Sequence, residues 1–152
     1  MNKLKDNFII LDLLFNNCDI DYNDLLKINI NKTFFDNHDN VRLENSFLFD
    51  FIKIQDKIGT KLFKLILFEL KEISDFNISM KDALNLLEKL KIINSSESWD
   101  KIKEIRNNLT LEYPLDIDEK IDNIKLVIHG YEILQKLYMS IKNYYEKNGL
   151  VK

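Results

Sequence analysis

Glycine and proline are nearly missing from this chain. Its 152 residues hold three glycines, Gly59, Gly130 and Gly149, and a single proline, Pro114. Tight β-turns and glycine-rich phosphate loops need residues that reach positive φ or preset a bend. With so few of them, long helices joined by short polar links are the architecture left. Apolar residues make up 45% of the chain and charged residues 31%, ordinary proportions for a protein that buries a core. The length suits one domain, residues 1–152, with a sizeable interior. No strand signal and no internal repeat interrupts the helical periodicity.

The formal net charge is -3. That argues against a strongly basic nucleic-acid binder, which needs excess Lys and Arg for phosphate contacts, while leaving room for a local basic patch. One cysteine, Cys18, has no intrachain disulfide partner, which fits a reducing, cytoplasmic setting. No run approaches the roughly 18 apolar residues that mark a membrane span. MNKLKDNFIILDLLF has a short apolar stretch broken by Asp12 and no small-residue cleavage site. It reads as a first amphipathic helix and not as a signal peptide.

Residues 3–17 carry a helical stripe of Leu4, Phe8, Leu11 and Phe15. A short second helix is expected over 21–29, with Asp21 as N-cap and Asp24 three residues on. NINKTFFDNHDN is a connector anchored by Phe34 and Phe35. These N-terminal helices, within 3–35, precede a bundle core over 40–146. Its first helix is expected over 40–74, where Phe47, Phe51, Ile54, Ile58, Leu62, Leu65 and Phe68 recur at threes and fours. Phe63, Ile66, Leu67 and Leu70 thicken that stripe. Gly59 interrupts it, either as a tolerated glycine costing about 1 kcal/mol or as a point of close helix–helix contact.

SDFNISMKDALNLLEKL begins with Ser79 as cap and Asp82 at N3, and buries Ala83, Leu86, Leu87 and Leu90. Ser95 or Ser96 caps the next helix, whose stripe is Trp99, Ile102, Ile105 and Leu109. Pro114 disfavours helical geometry at Tyr113, so that helix ends there or just before. Asp116 caps the last helix, with Glu119 reaching back. Ile117, Ile121, Ile124, Ile128, Tyr131, Leu134, Tyr138, Ile141 and Tyr145 run along it to about residue 146. The pattern predicts an all-α, up-and-down bundle of four to six helices.

Little in the chain speaks of catalysis. Arg106 lies one position round from the Ile102–Ile105–Leu109 face, so Arg106, Thr110 and Tyr113 can present together. Leu111 joins them only if the helix end distorts. The plainer reading of Arg106 is a snorkelling or salt-bridged surface residue; Asn107 could orient it or cap local backbone. His38 lies in a polar connector and His129 in the last helix, neither with a Cys or His at metal-ligand spacing. There is no nucleophile elbow and no phosphate loop, so no metal and no cofactor is expected. The acids of DIDEK are a helix start and not a general acid/base pair.

WDKIKEIRNNLTLEYP, followed by a long tyrosine-bearing helix, resembles a HEPN domain. More narrowly it is similar to the HepT group of toxin–antitoxin proteins, encoded beside minimal nucleotidyltransferases. That group carries arginine, four residues, histidine, one residue, tyrosine. Arg106 matches the arginine, Asn107 the frequent polar residue after it, and Tyr113 the tyrosine; Leu111 stands where the histidine belongs. The resemblance covers about residues 47–146. FIKIQDKIGTKLFKLILFEL resembles the long helix before the motif in one branch, and DALNLLEKLKII the next.

The resemblance implies a homodimer whose motif helices face one cleft, with arginine and histidine supporting metal-independent RNA cleavage. Arg106 and Asn107 are the catalytic positions it assigns. It also implies a nucleotidyltransferase antitoxin that transfers AMP to the motif tyrosine, Tyr113, and RNA as a further candidate ligand. Histidine moves protons near neutral pH; leucine cannot. General acid/base catalysis contributes about 10²–10⁴-fold, so Leu111 predicts a degenerate site with weak or absent ribonuclease activity. Two alternatives stay open. One is an active metal-independent ribonuclease using His129 as its base. The other is a purely structural or interaction bundle. A dimer cleft could still gather Lys101, Lys103 and Arg106 against RNA.

Overall fold

A computed structural model describes residues 3–110 and 116–148. Among these residues there are six α-helices and no strand: α1 (Lys3–Leu26), α2 (His38–Lys57), α3 (Phe63–Glu69), α4 (Met80–Lys89), α5 (Glu97–Thr110) and α6 (Ile117–Lys147). A 3-10 turn, Phe34–Asp36, precedes α2, and a π turn, Ile58–Leu62, joins α2 to α3 without a break. The result is an up-and-down bundle of about five rods. No helix among the described residues is long and apolar enough to cross a membrane.

The expected break between residues 17 and 21 does not occur. Cys18 and Leu25 continue the stripe of Leu4, Phe8, Leu11 and Phe15, and all six are buried. That burial carries the helix through weak helix formers such as Asn16 and Asn17. Asp21 is therefore inside α1 and not an N-cap. Its carboxylate accepts from the Ser46 hydroxyl on α2 at 2.6 Å.

Helix α1 lies antiparallel to α6 along a seam of repeated contacts. Phe8 stacks on Tyr145 at 4.3 Å between ring centres, and Phe15 on Tyr138 at 4.5 Å. The Tyr138 hydroxyl donates to Asp12 at 2.7 Å and the Tyr131 hydroxyl to Asp19 at 2.6 Å. Gln135 and Lys142 add bonds of 3.1 and 2.8 Å to the same two carboxylates. Burial first, and then these hydrogen bonds, push both tyrosine hydroxyls well above the ordinary phenol range. Tyr22, donating to Glu132 at 2.6 Å, is pushed up to about 12, chiefly by that bond.

The α2–α3 rod shows why a fixed 3.6 period fails there. From Ile54 onward its buried residues come in pairs, Ile54 with Gln55, Ile58 with Gly59, Leu62 with Phe63 and Ile66 with Leu67. The pairs are four apart, a spacing that drifts around an α-helix. The π turn, closed by the Phe63 N–H on the Ile58 carbonyl, adds the residue that restores phase. Leu65 is consequently only partly buried, and Phe68, expected in the core, is 43% exposed.

The rod also stops at Glu69 and not at 74. Lys71 takes a φ of 63° and the Glu72 N–H reaches the Leu67 carbonyl at 2.9 Å, a glycine-type helix end built on lysine. Lys91, with φ 60°, ends α4 the same way. Other boundaries follow the sequence. Ser79 accepts from the Asp82 N–H at 3.1 Å, Ser95 from the Glu97 N–H at 3.1 Å, and Asp116 from the Asp118 N–H at 2.9 Å. Within α4, Leu84 joins Ala83 and Leu87 in the core while Leu86 and Leu90 are only partly buried; Ile117 of α6 is exposed.

Gly59 marks a close contact. A Cβ there would lie 2.7 Å from Cζ2 of the buried Trp99, which packs edge-on to Phe63 at 4.9 Å. Helix propensity favours alanine by about 1 kcal/mol, but overpacking costs about 1–3 kcal/mol. Gly59→Ala should therefore lower the unfolding free energy by up to about 2 kcal/mol in urea melts; a stabilised variant would contradict the close approach.

The seam predicts a loss of stability in alkali. A group whose folded pKa is raised contributes stability that is complete below its unfolded pKa, about 10 for tyrosine. That stability is lost as pH rises through the folded value. Above about pH 10, each buried tyrosine should cost about 1.4 kcal/mol per pH unit. Tyr131→Phe should flatten that slope and, at neutral pH, destabilise by about 1.5–3 kcal/mol through the lost bond to Asp19. Urea melts across pH read both effects.

Candidate functional site

Helix α5 is set on the bundle by its apolar face. Trp99 fills the notch over Gly59, and Ile102 and Ile105 are buried. Ile105 meets Gly130 of α6, where a Cβ would lie 3.2 Å from its Cδ1 and 3.3 Å from Phe51 Cζ. Arg106, one position beyond Ile105, is thereby turned along the edge of this packing toward the end of α2.

There the Arg106 guanidinium meets the Asp56 carboxylate. Nη1 donates to Oδ1, and Nη2 lies 3.4 Å from Oδ2, a two-pronged pair. The side chains are 30% and 51% exposed, so solvent screens the pair and its net stabilisation is about 0–1 kcal/mol. Its chemical effect is larger than its energetic one. The positive charge that a phosphate would meet already holds a carboxylate. The next turn of the rod braces Asp56, whose carbonyl accepts from the Thr60 hydroxyl at 2.7 Å.

Asp56 was not legible as a site residue. It lies 50 positions from Arg106, and nothing local to either residue announces the pairing. The plain sequence reading of Arg106, a salt-bridged residue flanking a core stripe, is what the structure displays.

The remaining motif residues divide. Asn107 is exposed on α5, as are Lys101 and Lys103. Thr110 is the last residue of α5. Leu111 and Tyr113 lie outside the described residues, so convergence of Arg106 with the motif tyrosine belongs to the sequence resemblance. Both histidines are exposed, His38 at the start of α2 and His129 on α6. His129 directly precedes Gly130, against which Ile105 packs.

Other reactive groups are quiet. Cys18 is buried with its thiol 3.9 Å from the Phe47 carbonyl, and burial, aided by Asp50, Asp21 and Asp19, pushes its pKa up. It packs as a small apolar side chain and not as a nucleophile. Among the described residues no group of His, Cys, Asp and Glu is arranged to hold a metal ion.

The chain matches no family model, no curated protein and no solved structure.

Proposed function

We propose that this chain is a HepT-like HEPN protein that binds a minimal nucleotidyltransferase and carries a degenerate ribonuclease site. The support is the order and spacing of Arg106, Asn107, Leu111 and Tyr113, on an all-α bundle with a long tyrosine-bearing last helix. The observation that supports the degenerate-site part of the reading is the Arg106–Asp56 pair. An RNA phosphate would meet a guanidinium two of whose nitrogens already face the Asp56 carboxylate. At the histidine position, Leu111 then offers nothing to move a proton at the 2′-hydroxyl or the leaving oxygen. Tyr113 keeps its hydroxyl, whose oxygen would attack the α-phosphorus of ATP held by the partner, breaking the α–β phosphoanhydride and releasing pyrophosphate and the phenol proton to leave a tyrosyl–AMP phosphodiester. The functional unit in this reading is a homodimer with two motif helices across a cleft.

The proposal requires a minimal nucleotidyltransferase gene beside this one, and co-expression of the two tests it. The two proteins should co-purify, and peptide mass spectrometry should find AMP on Tyr113, absent in Tyr113→Phe. Neither complex nor adduct would sink the partner assignment.

A second reading is an active ribonuclease using His129, which is exposed on α6 next to the Gly130 position that Ile105 packs against. It requires metal-independent RNA cleavage by the purified protein and loss of that cleavage in His129→Ala. The degenerate site predicts the reverse: cleavage near background in the native chain. Leu111→His combined with Asp56→Asn should then raise it by about 10²–10⁴-fold, and Arg106→Ala added to that pair should abolish the gain.

A further inference from the structure

A cavity of about 480 Å³ opens between the start of α1 and the π turn, within the size range of small-molecule clefts. Four lysines line it, Lys3 from α1 and Lys57, Lys61 and Lys64 from the rod, against one carboxylate, Asp6. In a chain of net charge -3, such a concentration of positive charge is local and opposite to the whole.

Lys57 and Lys61 are four residues apart on one helical face, an arrangement of like charges that is destabilising in itself. Neither has an ion-pair partner among the described residues. Burial, then Lys61 and Lys53, push the Lys57 pKa down. Lys64 is held at the cavity by donating to the Phe76 carbonyl at 3.1 Å.

Two further residues of the lining bear on what could bind. Asn7 lines the cavity, is only 5% exposed, and its Oδ1 has no hydrogen-bond partner. A buried amide oxygen left unpaired costs about 1–3 kcal/mol. That oxygen is itself shut off from solvent, so what Asn7 can offer a phosphate is its amide NH₂, which donates. Phe76, 46% exposed, stacks on Phe68 with ring centres 5.1 Å apart and planes 24° from parallel. That gives the cavity wall a braced aromatic ring on which a planar group can lie.

We propose that this cavity binds a free phosphate ester bearing a planar ring, of mononucleotide size. Its phosphate sits between Lys57 and Lys61, which act as point charges. Asn7 hydrogen-bonds it from below, and its ring lies against Phe76. The site is separate from the Arg106–Asp56 pair and holds whether or not the chain has a nucleotidyltransferase partner.

Calorimetric titration of the full chain with AMP, adenosine and inorganic phosphate at low ionic strength tests this. AMP should bind, and adenosine and phosphate should each bind at least about tenfold more weakly. Lys57→Gln with Lys61→Gln should weaken AMP by about tenfold or more. Phe76→Ala should weaken AMP and leave phosphate unchanged. These side chains lie at the cavity surface, and thermal melts of each variant confirm the fold. No AMP binding at millimolar concentration would overturn the proposal, as would adenosine or phosphate binding as tightly as AMP. So would an AMP affinity that the double lysine variant leaves unaltered.

Discussion

Two tyrosine hydroxyls held by two aspartates fix how the first and last helices of this protein meet. Asp12 with Tyr138 and Asp19 with Tyr131 are matched across an antiparallel pair at seven-residue intervals. Phe8 and Phe15 keep the same interval against Tyr145 and Tyr138. A slip of one turn would leave two carboxylates and two phenols without partners in a half-dry interface, so the register is strongly specified. The rest is indexed to it. Phe47 of α2 meets Tyr131 edge-on at 5.3 Å, and Phe51 and Ile105 both close on Gly130. The position of Arg106 beside Asp56 follows from that chain of contacts.

The π turn is the second determinant, and it borders both places where chemistry is proposed. On one side Gly59 admits Trp99 of α5. On the other, Lys57 and Lys61 face the cavity beside α1, together with Thr60, whose hydroxyl donates to the Asp56 carbonyl. The extra residue in the rod keeps its buried face continuous. It also turns Phe68 outward, where it supports Phe76. Packing phase and candidate site are thus decided by the same local irregularity.

Much of the fold was readable one helix at a time. Ser79 and Asp116 act as the caps their positions suggested, because an N-cap is a contact over two or three residues. The stripes of α5 and α6 were readable for the same reason, since neighbours on a helix face are close in sequence. The expected short helix at 21–29 failed because burial of Cys18 and Leu25 outweighs weak local propensity. The end at Glu69 went unmarked because lysine, not glycine, takes the left-handed position at Lys71. Asp12 reads as an interruption in an apolar run until Tyr138 and Lys142, more than a hundred residues away, come to it.

The sequence by itself determined an all-helical chain, its apolar faces, most of its caps, and the spacing of Arg106, Leu111 and Tyr113. The tertiary structure alone decided that Arg106 is neutralised by Asp56 and that Asn7 and three lysines of the rod line one cavity. Helix formation depends on contacts a few residues apart, which composition and periodicity record. The meeting of charges on different helices depends on the rotational phase of each rod. One π turn and one tyrosine–aspartate register set that phase here, and neither leaves a local mark in the sequence.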